Sequence, residues 1–178
     1  MKSGAEDKVT SPDGEVLKSL KAATGSPDMK SGAEGRMMGL DFGSKTVGVA
    51  ISDPLGITAQ GITIIRRERE NKLRKTYSAI EELIEKYDVK SIVLGYPVLL
   101  SGKEGERVKA TLAFKEDLER RTGLPVILQD ERLTTIQAHR SLDEMGVKSE
   151  KHGEYVDEVA AVLILQSYLD RQRNSMPS

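Results

Sequence analysis

The sequence predicts an α/β fold in which a mixed five-stranded β-sheet, three antiparallel strands followed by two parallel ones, is flanked by α-helices. Hairpin-like successions come first, in Met38–Asp53 (MGLDFGSKTVGVAISD) and onward to Ile65. Beyond Arg66 the apolar spacing changes to the threes and fours of a helix, and two short apolar runs, Ser91–Gly95 and Val126–Leu128, follow with a second helical stretch between them. Hairpins join antiparallel neighbours, whereas strand–helix–strand units return the chain in parallel, so the two halves together make a mixed sheet covered by helices.

The first strand ends on Asp41, and Gly43-Ser44-Lys45 leads into the β-branched run Thr46–Ile51. A carboxylate at the end of a buried strand is costly unless a cation, a donor or water satisfies it. The plainer reading of Asp41 is a turn cap. Gly48 leaves room over the second strand for another element or a ligand. Asp53-Pro54-Leu55-Gly56 is a turn by composition, and Ile57–Ile65 the third strand. Arg66–Tyr87 reads as an amphipathic helix, with Leu73, Tyr77, Ile80, Leu83, Ile84 and Tyr87 along one stripe.

The run Ser91–Gly95 reads as a buried parallel strand. It is followed by Tyr96-Pro97 and by the loop Leu100–Gly105, where Ser101 and Glu104 have capping-box spacing. A helix then runs to about Arg121, Gly123-Leu124-Pro125 stops it, and Val126–Leu128 is the fifth strand. That strand leads into Gln129-Asp130-Glu131-Arg132-Leu133-Thr134-Thr135, with Thr134 or Thr135 able to cap the next helix, Ile136–Met145. The polar stretch through Gly153 is expected to be mobile. In the last helix, Glu154–Arg171, Asp157, Ala160, Ala161 and Ile164 share a face whose small residues allow close approach to the sheet.

The 178 residues are 38% hydrophobic, enough for one domain with an ordinary core. With 27 basic against 28 acidic side chains, binding of nucleic acid by bulk charge is disfavoured, although a local basic face remains open. The absence of cysteine excludes disulfides and thiolate metal sites. No apolar run approaches the roughly 18 residues of a membrane helix, so the chain is expected to be soluble and cytoplasmic. Residues 1–36 contain MKSGAE twice, at Met1–Glu6 and Met29–Glu34, and two Ser-Pro-Asp turns. They are read as a flexible or appended segment with at most a short helix over 15–23, and the domain as 37–178.

Asp41, Glu131 and Asp157 are far apart in sequence, but a central first strand would bring the ends of strands one and five and the start of the last helix to one edge. Side chains alternate along a strand, so at most one of Asp130 and Glu131 faces Asp41, and both remain candidates. Helix capping is the plain alternative for Asp157. Carboxylates gathered within a few ångström repel unless neutralised, and hard divalent cations with oxygen ligands are the usual remedy. A pair of such ions would suit in-line phosphodiester displacement.

Three motifs carry a family resemblance. Gly39–Ala50 with Ser52-Asp53-Pro54, Asp130-Glu131-Arg132-Leu133-Thr134-Thr135, and Val156-Asp157-Glu158-Val159-Ala160-Ala161 together resemble the YqgF/RuvX family across residues 37–178. These are bacterial RNase H-like proteins described both as Holliday junction resolvases and as nucleases of pre-16S rRNA. The resemblance implies an RNase H-like nuclease domain with a Mg²⁺ or Mn²⁺ site built from Asp41, Glu131 and Asp157, Asp41 bridging two metals. Processing of the 5′ end of pre-16S rRNA is the expected activity, and resolution of branched DNA the alternative. Lys45, Arg107, Arg132 and Thr134, together with Lys103, are the expected substrate contacts, and the protein a monomer or homodimer.

Two positions depart from the family pattern. Leu99 stands where an Asn is usual, and Glu158 where a basic residue commonly follows the helix Asp. They motivate a third reading, an RNase H-like module that binds nucleic acid or protein without cutting. Actin-like ATPases and sugar kinases share an Asp-x-Gly hairpin, but they need two lobes to enclose a nucleotide, more than residues 37–178 provide.

Overall fold

A computed structural model describes residues 35–97, 105–131 and 134–175. In chain order these form β1 (Arg36–Phe42), β2 (Thr46–Ser52), β3 (Ala59–Arg66), α1 (Arg74–Tyr87), β4 (Val89–Tyr96), α2 (Gly105–Thr122), β5 (Val126–Asp130), α3 (Thr134–Glu144), a 3₁₀ turn (Ser149–Lys151) and α4 (His152–Asn174). The sheet order is β3-β2-β1-β4-β5. β2 is antiparallel to both β1 and β3, while β4 is parallel to both β1 and β5. The expected mixed sheet with a central first strand is therefore the one that forms.

Alternation along the strands separates two cores. Met38, Leu40, Val47, Val49, Ile92, Leu94 and Leu128 face α1 and α2, where Tyr77, Ile80, Phe114 and Leu118 meet them. Phe42 stacks on Phe114 with ring centroids 4.1 Å apart, joining the end of β1 to α2. On the other face Ala50 and Val93 pack against Ala161, Ile164, Leu165 and Leu169 of α4. The small residues are what allow α4 to lie so low. A Cβ built on Gly48 would stand 1.9 Å from the backbone oxygen of Asp157, and one on Gly39 would stand 2.6 Å from Leu165 Cβ. The room left over Gly48 is thus filled by the backbone of α4.

Several boundaries differ from those expected, and two of the differences have a clear tertiary cause. The third strand begins at Ala59 rather than Ile57, because the Asp53 carboxylate accepts the backbone N–H groups of Leu55, Ile57 and Thr58 and keeps them in the turn. The first helix begins at Arg74 rather than Arg66, since the Arg67 N–H donates to Lys45 O at 2.7 Å and ties that segment to the β1–β2 hairpin. The third helix spans Thr134–Glu144 rather than 136–145.

The stretch expected to be mobile before Gly153 is folded, and α4 starts at His152 rather than at Glu154. His152 is buried, its Nε2 lies 2.8 Å from Val147 O, and its Nδ1 lies 3.2 Å from Nδ1 of His139 on α3. Both histidines of the chain thus pin the start of the helix that carries Asp157. The expected helix over 15–23 and the Ser101/Glu104 capping box lie outside the described residues.

Gly48→Ala is expected to lose about 3 kcal/mol in urea unfolding, because backbone meets backbone and no rotamer relieves the clash. Gly61→Ala should change stability by no more than about 1 kcal/mol, since the three atoms nearest to a Cβ there all belong to the movable side chain of Glu158.

Candidate active site

β1, β4 and β5 run parallel, so their C-terminal ends share one edge of the sheet. Asp41 is the penultimate residue of β1 and pairs in register with Gly48 of β2. Alternation turns it toward α4, whose Asp157 backbone oxygen sits over that same Gly48. One short strand pair therefore brings Asp41 and Asp157 together. Thr46, the first residue of β2, donates its hydroxyl to Asp157 Oδ2 at 2.5 Å and holds that carboxylate at the sheet edge.

Glu131 arrives from the other side. Its N–H donates to Tyr96 O at 3.2 Å, continuing the β4–β5 ladder one residue past the end of β5. The parity of this extension points Glu131 to the α4 face, the same side as Asp41, and Asp130 to the opposite one. Gly95 of β4 lies between, and a Cβ there would stand 2.6 Å from Glu131 Oε2. The missing side chain is the space through which Glu131 reaches Asp41, so that the two carboxyl groups hydrogen-bond.

The electrostatics follow from that crowding. Asp41 is 9% exposed. Burial and the charges of Glu131 and Asp157 push its pKa up to about 8, against a smaller opposing effect of Arg107. Glu131 is also raised by burial, with Arg107 and the hydrogen bond from Asp41 pulling the other way. Arg107, near the start of α2, has its Nη2 3.7 Å from Glu131 Oε1 and is 55% exposed. It faces the carboxylates while keeping donors in solvent.

Lys45 stands exposed at the hairpin tip. Arg132, Lys103 and Leu99 lie outside the described residues, as does the side chain of Thr134, the residue that opens α3. Glu158 leans over Gly61 of β3, away from the three carboxylates. Thr46 and Gly95 were not singled out by sequence reasoning. No local pattern marks either one, since each acts on a residue distant in the chain.

Among the described residues, no three acidic or histidine side chains draw close enough to enclose a metal ion alone. The donor set still fits a hard divalent ion. It consists of oxygens only, it includes two carboxyl groups in contact, and its mutual repulsion raises Asp41 in a way a cation would offset. Mg²⁺ commonly takes one or two carboxylates and completes its shell with water and substrate phosphate.

The raised Asp41 pKa sets a pH dependence of stability. A folded-state pKa near 8, above the unfolded value of 3.8, means that this contribution is fully present below about pH 4 and is lost as pH rises through 8. Asp41→Asn removes the penalty. In EDTA at pH 8 it should melt several degrees above the wild type, with the difference vanishing toward pH 4 in scanning calorimetry.

The family described as RuvX, Holliday junction resolvase, matches residues 35–171. A protein of Agathobacter rectalis named "Putative pre-16S rRNA nuclease" is 57% identical over 140 residues, covering 79% of this chain and 98% of that protein. The protein of the same name from Listeria monocytogenes is 51% identical over 135 residues, covering 76% and 97%. Among solved structures, Thermus thermophilus RuvC in complex with Holliday junction substrate is similar with a TM-score of 0.52 at 12% identity, over 79% of this chain and 97% of that one. At that identity the likeness speaks to the fold, which is that of RNase H-like resolvases. The family match across nearly every described element, with relatives that share half their residues along their whole length, makes this chain a member of the RuvX family.

Proposed function

We propose that this chain is a divalent-metal-dependent nuclease that hydrolyses phosphodiester bonds in structured nucleic acid, with pre-16S rRNA as substrate. The observation that carries the reading is the buried Asp41, pressed against Glu131 and beside Asp157, in a chain 57% identical to a protein named for that activity. The activity is assigned to residues 37–178.

Asp41, Glu131 and Asp157 are the residues that would hold Mg²⁺ or Mn²⁺, Asp41 as the shared ligand. Two such ions, when bound, would offset the carboxylate charge and would supply the positive charge that an in-line phosphodiester displacement needs. The remaining work falls to the chain itself. Thr46 fixes one oxygen of Asp157, so that the carboxylate does not swing to solvent. Arg107, half-exposed beside Glu131, is placed to receive a substrate phosphate, and Lys45 at the hairpin tip offers a second positive charge. Arg132 and Thr134 are further substrate contacts in this reading. Asp41 itself is buried, which strengthens the charge interactions made at its carboxyl group.

Holliday junction resolution is the second reading, favoured by the family description and the RuvC-like fold. Both readings are tested by incubating the protein with precursor 16S rRNA and, in parallel, with a four-way DNA junction, in Mn²⁺ or in EDTA. Cleavage of the rRNA in Mn²⁺, absent in EDTA and in Asp41→Asn, is the expected result. Cutting of the junction alone would select the resolvase. Thr46→Val should retain the fold and slow cleavage by about 10–100-fold, as expected when a group that orients a metal-binding residue is removed. No cleavage of either nucleic acid by folded protein in Mn²⁺ would replace both readings with a binding module.

A further inference from the structure

We propose that the cleft between the end of β3 and the start of α1 is a second phosphate-binding subsite, which holds a backbone phosphate of the nucleic-acid substrate on the sheet face opposite the carboxylates. The proposal rests on the nucleic-acid reading above. The cleft has a volume of about 480 Å³ and is walled by Arg66, Arg67, Lys72, Arg74, Lys75 and Thr76, with Glu68 as the acidic side chain among its lining residues.

The buried polar groups of the wall point to a ligand. Arg67 is 8% exposed and Thr76 1%. Arg67 Nε, Arg67 Nη1 and Thr76 Oγ1 are the buried side-chain nitrogens and oxygens that lack a hydrogen-bond partner among the described residues, and all three belong to this cleft. Buried polar atoms are nearly always paired, and an unmet donor on a charged group is costly. An anion bound in the cleft would supply the acceptors these donors lack.

The start of α1 carries the same implication. Leu73, at the N-cap position, provides no side-chain cap, the first turn holds no acidic residue, and Arg74 and Lys75 stand there instead. Cations at the positive end of a helix dipole are unfavourable by themselves, whereas an anion bound among them reverses the sign of the interaction. Arg66, Lys72, Arg74 and Lys75 are exposed around the mouth, a distribution suited to a polyanion rather than to a single small ion.

Arg67 also couples the cleft to the reacting edge. Its Nη2 donates to Gly43 O at 2.5 Å and to Ser44 O at 2.6 Å, and its guanidinium lies 4.9 Å from the centre of the Phe42 ring. Phe42 ends β1 directly after Asp41, and Gly43 and Ser44 begin the hairpin tip. Phe42 faces the α1 and α2 side while Asp41 faces α4, so a strand of nucleic acid crossing the tip would meet the carboxylates on one side and this cleft on the other.

The test uses the full chain in EDTA, where binding is read without cleavage. The Arg67 Nε–H signal in ¹H–¹⁵N NMR is followed on addition of precursor 16S rRNA fragment, of four-way DNA junction, and of inorganic phosphate. Dissociation constants are measured by fluorescence anisotropy across a salt series. One of the nucleic acids should move the Arg67 signal at micromolar concentration, with inorganic phosphate needing millimolar. The triple variant K72Q/R74Q/K75Q should bind that nucleic acid about tenfold more weakly and lower the salt slope by about 2. A control of equal charge loss, K86Q/R120Q/R171Q, should leave both nearly unchanged.

Equal losses in the two triple variants, or an Arg67 signal unmoved by a nucleic acid that binds, would overturn the subsite whether or not the protein cleaves. Saturation of the Arg67 signal by micromolar inorganic phosphate, without response to nucleic acid, would assign the cleft to a small phosphate ligand and overturn it equally. Because Asp41→Asn abolishes cleavage in the functional reading and leaves this cleft intact, a shift retained in that variant separates the two claims.

Discussion

The approach of α4 to β2 at Gly48 is the contact on which the rest of the site depends. Asp41 and Gly48 are register partners, and the Asp157 backbone oxygen occupies the space where a Gly48 side chain would be. The distance between the two acidic residues is therefore set by backbone against backbone, not by flexible side chains. Ala50, Ala161 and Leu165 continue the same close contact along the helix. The Thr46 hydroxyl and the histidine pair at the start of α4 then settle the rotation and the end of that helix.

Such packing gathers like charges where water is scarce. Asp41 is held protonated to an unusually high pH by burial and by its acidic neighbours, with Arg107 only partly compensating. A fold that accepts this penalty in its central strand carries a standing demand for positive charge at one edge. The oxygen-only donor set and the half-exposed Arg107 are two ways of meeting it, one by a cation and one by a side chain. The proposed role of Asp41 as a metal ligand would thus set function against stability at this position.

Arg67 plays the complementary part on the other face. Its backbone and guanidinium together tie the β3–α1 segment to the hairpin carbonyls, which shapes the tip beside Asp41. Among the described residues, two of its buried nitrogens have no partner in a basic cleft. Structural clamp and ligand contact are compatible here because the guanidinium has more donors than the hairpin uses.

The sequence by itself determined the class of fold, since strand alternation, helical spacing and hairpin-forming glycines are local properties that each short stretch displays alone. It also contained the acidic residues of the edge, because Asp41 ends its apolar run and Asp157 sits beside two alanines. Only the tertiary structure decided which of Asp130 and Glu131 faces Asp41, because the parity of β5 depends on its register with β4. The start of β3 and the start of α1 were likewise beyond local reading, being set by the Asp53 carboxylate and by the bond from Arg67 to Lys45. The roles of Gly48 and Gly95 emerge only when another element lies over them, and the orphaned donors of Arg67 only when its surroundings are complete. Periodicity is written along the chain, whereas steric room, register and unmet hydrogen bonds belong to pairs of segments that folding brings together.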